Sequence, residues 1–364
     1  MSRYWSDIAG RLEPYVPGEQ PKDKKYIKLN TNENPYPPSQ KVLEAIKSAC
    51  NGNLRLYPDP ECEVLRKTIA GYFNLEKEQV FVGNGSDELL AFSFLAFFNP
   101  GNPIFFPDIT YSFYPVYSQI FNIDYRLIEL DEEFSLPVDK FLEENGGIVL
   151  SNPNAPTGKF LPIESIKIIL ENNLNSVIII DEAYIDFGGE SSLELISEFP
   201  NLLVIQTLSK SRSLAGLRLG FALGHKDLIE GLNRVKNSFN SYTIDQLTLA
   251  GAEAAFEDEA YFQQTRKKII ATRDKVSLSL KSIGFNVIDS KANFIFISHP
   301  NVKAFTLFHK LRENGVLVRY FNKIRIEDYL RVSIGSEEDM DIFMNTVERI
   351  LFQVGNGPRH CEIL

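Results

Sequence analysis

The fold is indicated most clearly by the stretch Val177-Ile178-Ile179-Ile180-Asp181-Glu182-Ala183-Tyr184, in which four β-branched residues are followed directly by an acid. Valine and isoleucine favour strands, and a strand that is apolar at every position must be covered on both faces. Helices cover both faces where parallel strands alternate with crossover helices. The stretch therefore predicts a central strand of an α/β sheet that ends at Asp181.

Similar short apolar or aromatic runs lie on either side of this stretch and alternate with amphipathic segments. This alternation is typical of βαβ units. It predicts a large domain with a seven-stranded, mostly parallel sheet flanked by helices. The predicted strands are 80–82, 103–106, 125–130, 147–151, 177–181, 202–207 and 219–223.

The pattern changes at both ends of this region. Residues 1–38 are punctuated by proline and glycine and predict an extended N-terminal arm, which leaves 39–257 for the large domain. A long amphipathic segment begins near residue 258 and opens a smaller C-terminal α/β domain, 258–364. The strands predicted there are 285–288, 293–297, 316–320 and 329–334, with helices near 302–314 and 337–352.

Composition excludes several classes of protein. The 364 residues include 48 Asp and Glu against 38 Lys and Arg, for a net charge of −10, and no dense basic stripe indicates a nucleic-acid partner. The apolar runs are shorter than the roughly 20 residues of a membrane span, and the N-terminus lacks a signal-peptide core, so we expect a cytoplasmic protein. Three cysteines without C-x-x-C spacing predict neither disulfides nor a metal site.

Lys210 is the most informative candidate for chemistry. It follows the apolar strand 202–207, which places it at the carboxyl edge of the sheet, where open α/β folds bind ligands. Thr207 and Ser209 precede it and Arg218 follows, so hydroxyls and a guanidinium could hold an anion beside the amine.

Other predicted strand ends reach the same edge. Gly83-Asn84-Gly85-Ser86-Asp87-Glu88 joins a strand to an apolar helix, whose first N–H groups favour an anion, although the pattern does not match a nucleotide P-loop. Ser151-Asn152-Pro153-Asn154 presents amide side chains after another strand. A lysine, an acid, an anion cradle and amides therefore converge on one region.

In this order and context, Asn154 with Pro156-Thr157-Gly158, Asp181 to Tyr184, and Ser209-Lys210 with Arg218 resemble the aspartate-aminotransferase-like enzymes of fold type I, which depend on pyridoxal 5′-phosphate (PLP). Within that group, the chain is similar to the histidinol-phosphate aminotransferases. The segments that carry this similarity are Leu29-Asn30-Thr31-Asn32-Glu33-Asn34-Pro35, Leu56-Tyr57-Pro58-Asp59, Gly85-Ser86-Asp87-Glu88 and the stretch from Thr207 to Arg218.

The resemblance implies roles toward the cofactor. Lys210 would form the Schiff base and carry the proton between the substrate and the cofactor. Asp181 would pair with the ring nitrogen, Tyr184 would hydrogen-bond the ring oxygen, and Tyr111 would stack on the ring. The remaining cofactor-binding residues, most of them around the phosphate, would be Gly85, Ser86, Asp87, Thr207, Ser209, Arg218 and, in a homodimer, the partner subunit's Tyr57.

The resemblance also implies the substrates. L-Histidinol phosphate and 2-oxoglutarate would give imidazole acetol phosphate and glutamate in histidine biosynthesis, with Tyr15, Asn32, Arg319 and Arg331 binding the substrate. Two alternatives use the same cofactor residues, namely an aromatic amino-acid aminotransferase and a lyase similar to threonine-phosphate decarboxylase.

One position departs from the family pattern. The commoner sequence has asparagine immediately before Pro-Thr-Gly, and this chain has Ala155 there. Asn154 is the replacement candidate for contact with the ring oxygen, Asn152 is a second candidate, and Tyr184 alone is a third possibility.

Overall fold

The structure is a computed structural model that describes residues 3–14 and 18–355, so the predicted substrate residue Tyr15 lies outside the described residues. The strands are β1 Ile27–Lys28, β2 Val80–Gly83, β3 Ile104–Pro107, β4 Tyr125–Ile128, β5 Ile148–Ser151, β6 Ile178–Asp181, β7 Leu202–Thr207, β8 Gly220–Gly224, β9 Asn286–Ile288, β10 Phe294–Ser298, β11 Val316–Leu317, β12 Arg319–Tyr320 and β13 Leu330–Ser333. The helices are α1 Asp7–Arg11, α2 Gln40–Ala49, α3 Glu63–Phe73, α4 Gly85–Phe97, α5 Phe113–Phe121, α6 Ile163–Glu171, α7 Lys226–Phe239, α8 Gln246–Glu257, α9 Glu259–Ser282, α10 Ala304–Glu313 and α11 Glu337–Gly355.

A seven-stranded sheet forms the centre of the molecule, in the order β2-β8-β7-β6-β5-β3-β4. Only β8 is reversed, because it pairs antiparallel with both β2 and β7. The predicted α/β architecture with a mostly parallel sheet is confirmed. Each of the seven predicted strands lies within two residues of an observed one.

The central strand β6 shows why the sheet is covered on both faces. Successive side chains in a strand point to opposite faces. Ile178 and Ile180 accordingly pack into a core that includes residues of α2, α3, α6 and α8, whereas Ile179 packs into a second core with residues of α4, α5 and α7. Both faces are therefore apolar, and the first polar side chain of the strand, Asp181, comes at its carboxyl end.

A second sheet, in the order β12-β13-β10-β9, is antiparallel and has its own core against α9, α10 and α11. The predicted strand 316–320 is divided in the structure. Val316–Leu317 pairs parallel with β1, and Arg319–Tyr320 pairs with β13. The arm therefore contributes a strand of its own to this part of the fold.

The arm continues from β1 into the region between the two larger sheets. The Leu29 N–H donates to the Leu317 carbonyl at 2.8 Å, and the Ser333 N–H donates to the Leu29 carbonyl at 2.9 Å. These bonds place residues 30–34 beside β13 and in front of the carboxyl ends of β6 and β7.

A contact between the two larger sheets lies close to that region. Arg325 donates to the Asp108 carboxylate at 2.7 Å and to the Leu130 carbonyl at 2.6 Å. Beside this pair, Phe296 and Ile326 pack against Ile109 and Leu130. This contact holds residues 108–111, which include Tyr111, in a fixed position relative to β12, which carries Arg319. Within residues 3–14 and 18–355, no helix has the length and apolarity needed to cross a membrane.

Candidate active site

One pocket at the carboxyl ends of β6 and β7 collects most of the side chains predicted for a site. Strand ends, the start of α4 and the arm meet there, although these segments are far apart in the sequence. The predicted residues that line the pocket are Asn32, Ser86, Asp87, Tyr111, Asp181, Tyr184, Thr207, Ser209, Lys210, Arg218, Arg319 and Arg331.

The amine of Lys210 lies inside this pocket and is held in place by its surroundings. Its Nζ donates to the Thr31 carbonyl at 3.2 Å and lies 5.6 Å from the centre of the Tyr184 ring. The Asn34 amide donates to the carbonyls of Lys210 and Ser211 at 3.0 and 3.1 Å. The arm therefore positions both the backbone and the side chain of the lysine.

Asp181 is a buried acid at the end of β6. Its carboxylate accepts hydrogen bonds from the Tyr114 hydroxyl at 3.1 Å and from the Ala183 N–H at 3.2 Å. Burial raises the pKa of Asp181 to about 6, against the opposing effect of these two hydrogen bonds. A cation beside Asp181 would stabilise the ionised form, so the site suits a protonated ring nitrogen.

The raised pKa of Asp181 has a measurable effect on the cofactor-free protein. The folded state holds the proton up to about pH 6 and the unfolded state up to about pH 4, so the contribution of Asp181 to stability is lost between these values. Relative to the unaltered protein, Asp181→Asn should gain up to about 3 kcal/mol of unfolding free energy over this range. Urea titrations at pH 4, 5, 6 and 7 measure the difference, and a difference independent of pH would contradict the prediction.

The start of α4 forms an anion cradle with Arg218. Gly85 has φ +80°, and a Cβ there would lie 2.7 Å from Arg218 Nη2. A Cβ on Gly220 would lie 2.7 Å from the Ser86 backbone nitrogen. The two glycines allow the backbone and the guanidinium to approach closely, and the helix N-terminus adds partial positive charge. The cradle is suited to a phosphate group.

Asp87 connects this cradle to the aromatic wall of the pocket. Its carboxylate accepts from the Tyr111 hydroxyl at 2.7 Å and from Arg218 Nη2 at 3.2 Å. Burial, followed by the charge of Asp87, raises the pKa of Tyr111 well above its usual value, so the phenol stays neutral. Asp87 therefore orients both Tyr111 and Arg218.

Two arginines form a second cationic region. Arg319 on β12 and Arg331 on β13 are direct partners in the antiparallel register, and both line the pocket. Arg331 Nη2 donates to the Asn30 carbonyl at 3.1 Å, and its guanidinium lies 5.3 Å from the centre of the Phe294 ring. Neighbouring guanidinium groups on one face favour a carboxylate or phosphate ligand.

The structure does not bring every predicted residue into the pocket. Gly85 contributes backbone beside it, as described above. The Asn154 amide donates to the Ile109 carbonyl and to Thr157 Oγ1, both at 3.0 Å, and the wall at this point is formed by Ala155. Tyr57 is 79% exposed and stacks on Tyr242 with 4.6 Å between ring centres.

Several residues that act on the site have no individual signal in the sequence. Tyr114 lies within α5 and is recognisable only by its hydrogen bond to Asp181. Thr31 and Asn34 contact Lys210, from which they are separated by more than 170 positions. The segment from Leu29 to Pro35, which carries part of the family resemblance, is the indication of their role that the sequence offers.

The residues present fit PLP. A buried acid is available for the ring nitrogen, an amine for the carbonyl carbon, and a helix N-terminus with Arg218 for the phosphate. Within the described ranges, no group of three or more His, Cys, Asp and Glu side chains could hold a metal ion.

Comparisons with known proteins agree with this geometry. Residues 24–347 match the family described as aminotransferase class I and II. Histidinol-phosphate aminotransferase of Clostridium botulinum strain Langeland is 62% identical, covering 96% of this chain and 99% of the relative. The enzyme of that name from Clostridium beijerinckii is 56% identical, covering 99% of each.

Among solved structures, histidinol-phosphate aminotransferase from Sinorhizobium meliloti in complex with PLP has a TM-score of 0.87 at 20% identity, covering 96% of this chain and 99% of that one. Aspartate aminotransferase from Thermus thermophilus with maleate has a TM-score of 0.81 at 18% identity, covering 96% and 100%. The fold and the motif resemblance are thereby confirmed. The chain belongs to the aminotransferase class I and II family, whose cofactor is PLP.

Proposed function

We propose that this enzyme transfers the amino group of L-histidinol phosphate to 2-oxoglutarate and forms imidazole acetol phosphate and glutamate. The observation that carries the proposal is that one pocket holds Lys210, an anion cradle at Arg218, and a second cationic region at Arg319 and Arg331. The first anion site suits the phosphate of the cofactor, and the second suits the anionic end of the substrate. The relatives at 62% and 56% identity bear the name of this activity.

Both substrates fit one site because arginine binds carboxylates and phosphates alike. Histidinol phosphate ends in a phosphate monoester, and glutamate ends in a carboxylate. Arg331 and Arg319, on adjacent strands, offer two forked donor groups to either anion. The reaction would then run as two half-reactions: the donor leaves its amino group on the cofactor and departs as imidazole acetol phosphate, and 2-oxoglutarate then binds and takes up that group.

The positions of the protein groups support a role for each of them. PLP, when bound, acts as an electron sink for the bond that breaks at the substrate α-carbon. Lys210 holds the cofactor before substrate arrives and afterwards moves the proton to and from that carbon. Asp181 would keep the ring nitrogen protonated, and Tyr111 would cover the ring. Ser86, Ser209 and Arg218 would hold the phosphate, with Thr207 beside them.

The amino-donor profile tests the proposal. We expect L-histidinol phosphate with 2-oxoglutarate to yield glutamate with a kcat/KM at least about tenfold above that of phenylalanine or tyrosine, because a phosphate carries more negative charge and more acceptor oxygens toward the two arginines than the single carboxylate of these amino acids. Glutamate is measured with a coupled dehydrogenase. A preference for phenylalanine or tyrosine would instead support an aromatic aminotransferase. Carbon dioxide released from phosphothreonine would support the lyase.

A homodimer with shared sites is part of the proposal. Tyr57 and Tyr242 stack on each other with both side chains exposed, and a second copy of the chain would cover this apolar surface. In the dimer, the partner subunit's Tyr57 would reach the cofactor phosphate.

Hybrid dimers test this arrangement. Tyr57→Phe alone should weaken PLP binding about tenfold, through the loss of one hydrogen bond to a charged group. A hybrid of one Tyr57→Phe subunit and one Lys210→Ala subunit should regain one site of normal PLP affinity, because the intact Lys210 then faces an intact Tyr57. Affinity that stays weak in the hybrid would place Tyr57 in the site of its own subunit.

The proposal also gives each part of the chain a role. We assign residues 39–257 to the cofactor-binding domain, 258–364 to the domain that holds the substrate anion, and 1–38 to the arm. Tyr15 belongs to the proposed substrate contacts from the arm. The enzyme is proposed to act in the cytoplasm on small molecules, without a nucleic-acid or membrane partner.

A further inference from the structure

Asn32 lies at the centre of a buried hydrogen-bond network between the arm and the pocket. It is 1% exposed and adopts a left-handed backbone conformation with φ 56°. Its N–H donates to Ser333 Oγ at 2.8 Å, and its carbonyl accepts from Asn293 at 3.0 Å. The Ser333 hydroxyl donates to Asn32 Oδ1 at 2.9 Å. Asn32 is therefore fixed before any ligand binds.

This network also fixes the orientation of the Asn32 amide. Ser333 Oγ already accepts the Asn32 N–H, and among the described residues Asn32 Oδ1 is the one acceptor for the Ser333 hydrogen. A flipped amide would leave that buried hydrogen unpaired, which is unfavourable. The amide nitrogen must therefore face the other way, where Nδ2 donates to Tyr184 Oη at 3.0 Å.

The hydroxyl hydrogen of Tyr184 is consequently available to the pocket. The oxygen accepts from Asn32, and the hydroxyl donates to no protein group in the part of the chain that the structure describes. The Tyr184 ring is held edge-to-face against Phe294, with centres 5.0 Å apart. With Lys210 Nζ 5.6 Å from the ring centre, the phenol lies next to whatever the lysine binds.

The turn 152–155 holds the other candidates for a donor to the ring oxygen of PLP, and each of them either lacks an amide or already uses it. Ala155 lines the pocket with a methyl group and packs with Phe294 and Tyr184. The Asn154 amide donates to the Ile109 carbonyl and Thr157. The Asn152 amide donates to the Leu161 carbonyl at 3.0 Å and accepts the Leu161 N–H at 2.8 Å. Neither Asn152 nor Asn154 lines the pocket.

We propose that Asn32 is a positioning residue that acts on the cofactor through Tyr184. Its amide holds the phenol oxygen so that the Tyr184 O–H points at the ring oxygen of PLP, and this relay replaces the amide donor that Ala155 lacks. The inference rests on the PLP chemistry of the proposed function and not on the choice of amino donor. It assigns Asn32 a role toward the cofactor in place of direct substrate binding.

The test is a pH titration of the visible absorbance of the PLP-bound enzyme without substrate. A donor to the ring oxygen stabilises the anion left when the nitrogen that joins Lys210 to the cofactor loses its proton. Removing the donor should therefore raise the pH at the midpoint of the absorbance change. We expect a rise of about one pH unit in Tyr184→Phe and about half a pH unit in Asn32→Ala. The charged groups that line the pocket stay in place in both variants: Asp87, Asp181, Lys210, Arg218, Arg319 and Arg331.

A double-mutant cycle separates the relay from a general structural effect. In the Tyr184→Phe background, Asn32→Ala should produce no further rise, because the relay has already been interrupted. An equal rise in both backgrounds would overturn the proposal, as would an unchanged midpoint in Asn32→Ala. Absence of the visible band from the unaltered enzyme would overturn the PLP assignment itself, whereas a changed donor profile would affect the substrate assignment alone.

A rescue variant tests the compensation for Ala155. In the Asn32→Ala background, Ala155→Asn should return the midpoint toward that of the unaltered enzyme, because the new amide can donate to the same oxygen. A midpoint that stays raised would contradict the claim that the relay replaces the amide donor missing at Ala155. Ser333→Ala is the matched control, since it loosens Asn32 but keeps the donor to Tyr184, and its shift should be smaller than that of Asn32→Ala.

The left-handed backbone at Asn32 calls for a second variant in case alanine impairs folding there. Asn32→Asp tolerates this conformation and keeps the acceptor for Ser333, but its carboxylate cannot donate to Tyr184. The Tyr184 hydrogen would turn toward the new carboxylate, so the midpoint should rise at least as far as in Asn32→Ala. A rise of the same size in the Tyr184→Phe background would show a charge effect alone and overturn the relay.

Discussion

Lys210→Ala is expected to lower kcat for transamination by at least about 10⁴-fold. The variant loses the amine that lies within hydrogen-bond distance of the Thr31 carbonyl and beside the Tyr184 ring. No other lysine lines the pocket within the described ranges, so no neighbouring amine can replace it. Glutamate formation under saturating substrates measures the effect.

Lys167→Ala is the matched control for this prediction. Lys167 is also a lysine, but it lies on α6 at the surface, paired with Glu198. Its loss should leave kcat within about twofold of the unaltered value, because exposed ion pairs contribute little. If Lys210→Ala retained more than about one hundredth of the activity, Lys210 would not be the proton carrier.

Asp181→Asn is expected to give the second largest loss, a roughly thousandfold fall in kcat. Without the carboxylate the ring nitrogen would no longer be held protonated, and a thousandfold fall in kcat corresponds to a loss of about 4 kcal/mol of transition-state stabilisation. Asparagine is close in size to aspartate and can keep a hydrogen bond with Tyr114, but it cannot keep the ring nitrogen protonated. The electron sink is weakened while the shape of the pocket is preserved.

Stoichiometry of bound PLP distinguishes this effect from simple loss of the cofactor. The measurement is kcat with the cofactor at saturating concentration, together with the absorbance of the bound cofactor. A kcat within tenfold of the unaltered enzyme, at full cofactor occupancy, would remove Asp181 from the proposed role. The same variant should be the more stable one without cofactor above about pH 6, because burial of the charge is then unfavourable.

Local patterns in the sequence indicate most of the residues proposed to bind the cofactor. The run Val177 to Ile180 predicts a strand because every side chain is β-branched, and the polar residue that follows must lie at its end. The same reasoning applies to Lys210 after β7 and to Ser86 after β2. Carboxyl ends of parallel strands meet at one edge, so the convergence of these residues was predictable.

The remaining features depend on contacts between distant parts of the chain. The single predicted strand 316–320 does not reveal the direct pairing of Arg319 with Arg331, because the division at Val318 follows from pairing with the arm. Asn154 is the replacement candidate for contact with the ring oxygen by its position in the sequence, but its amide donates to the Ile109 carbonyl and to Thr157. A local pattern does not show which partner a polar side chain has.

The amino-acid sequence thus specified the α/β architecture, the family and the edge of the sheet at which chemistry occurs, because strand formation and apolar burial are governed by neighbouring residues. The tertiary structure alone decided the pKa values and the hydrogen-bond partners of the site residues. The pKa of Asp181 depends on complete burial, and the hydrogen bond from Asn32 to Tyr184 joins residues 152 positions apart. Electrostatics and hydrogen bonding depend on distances in space, which sequence separation does not determine.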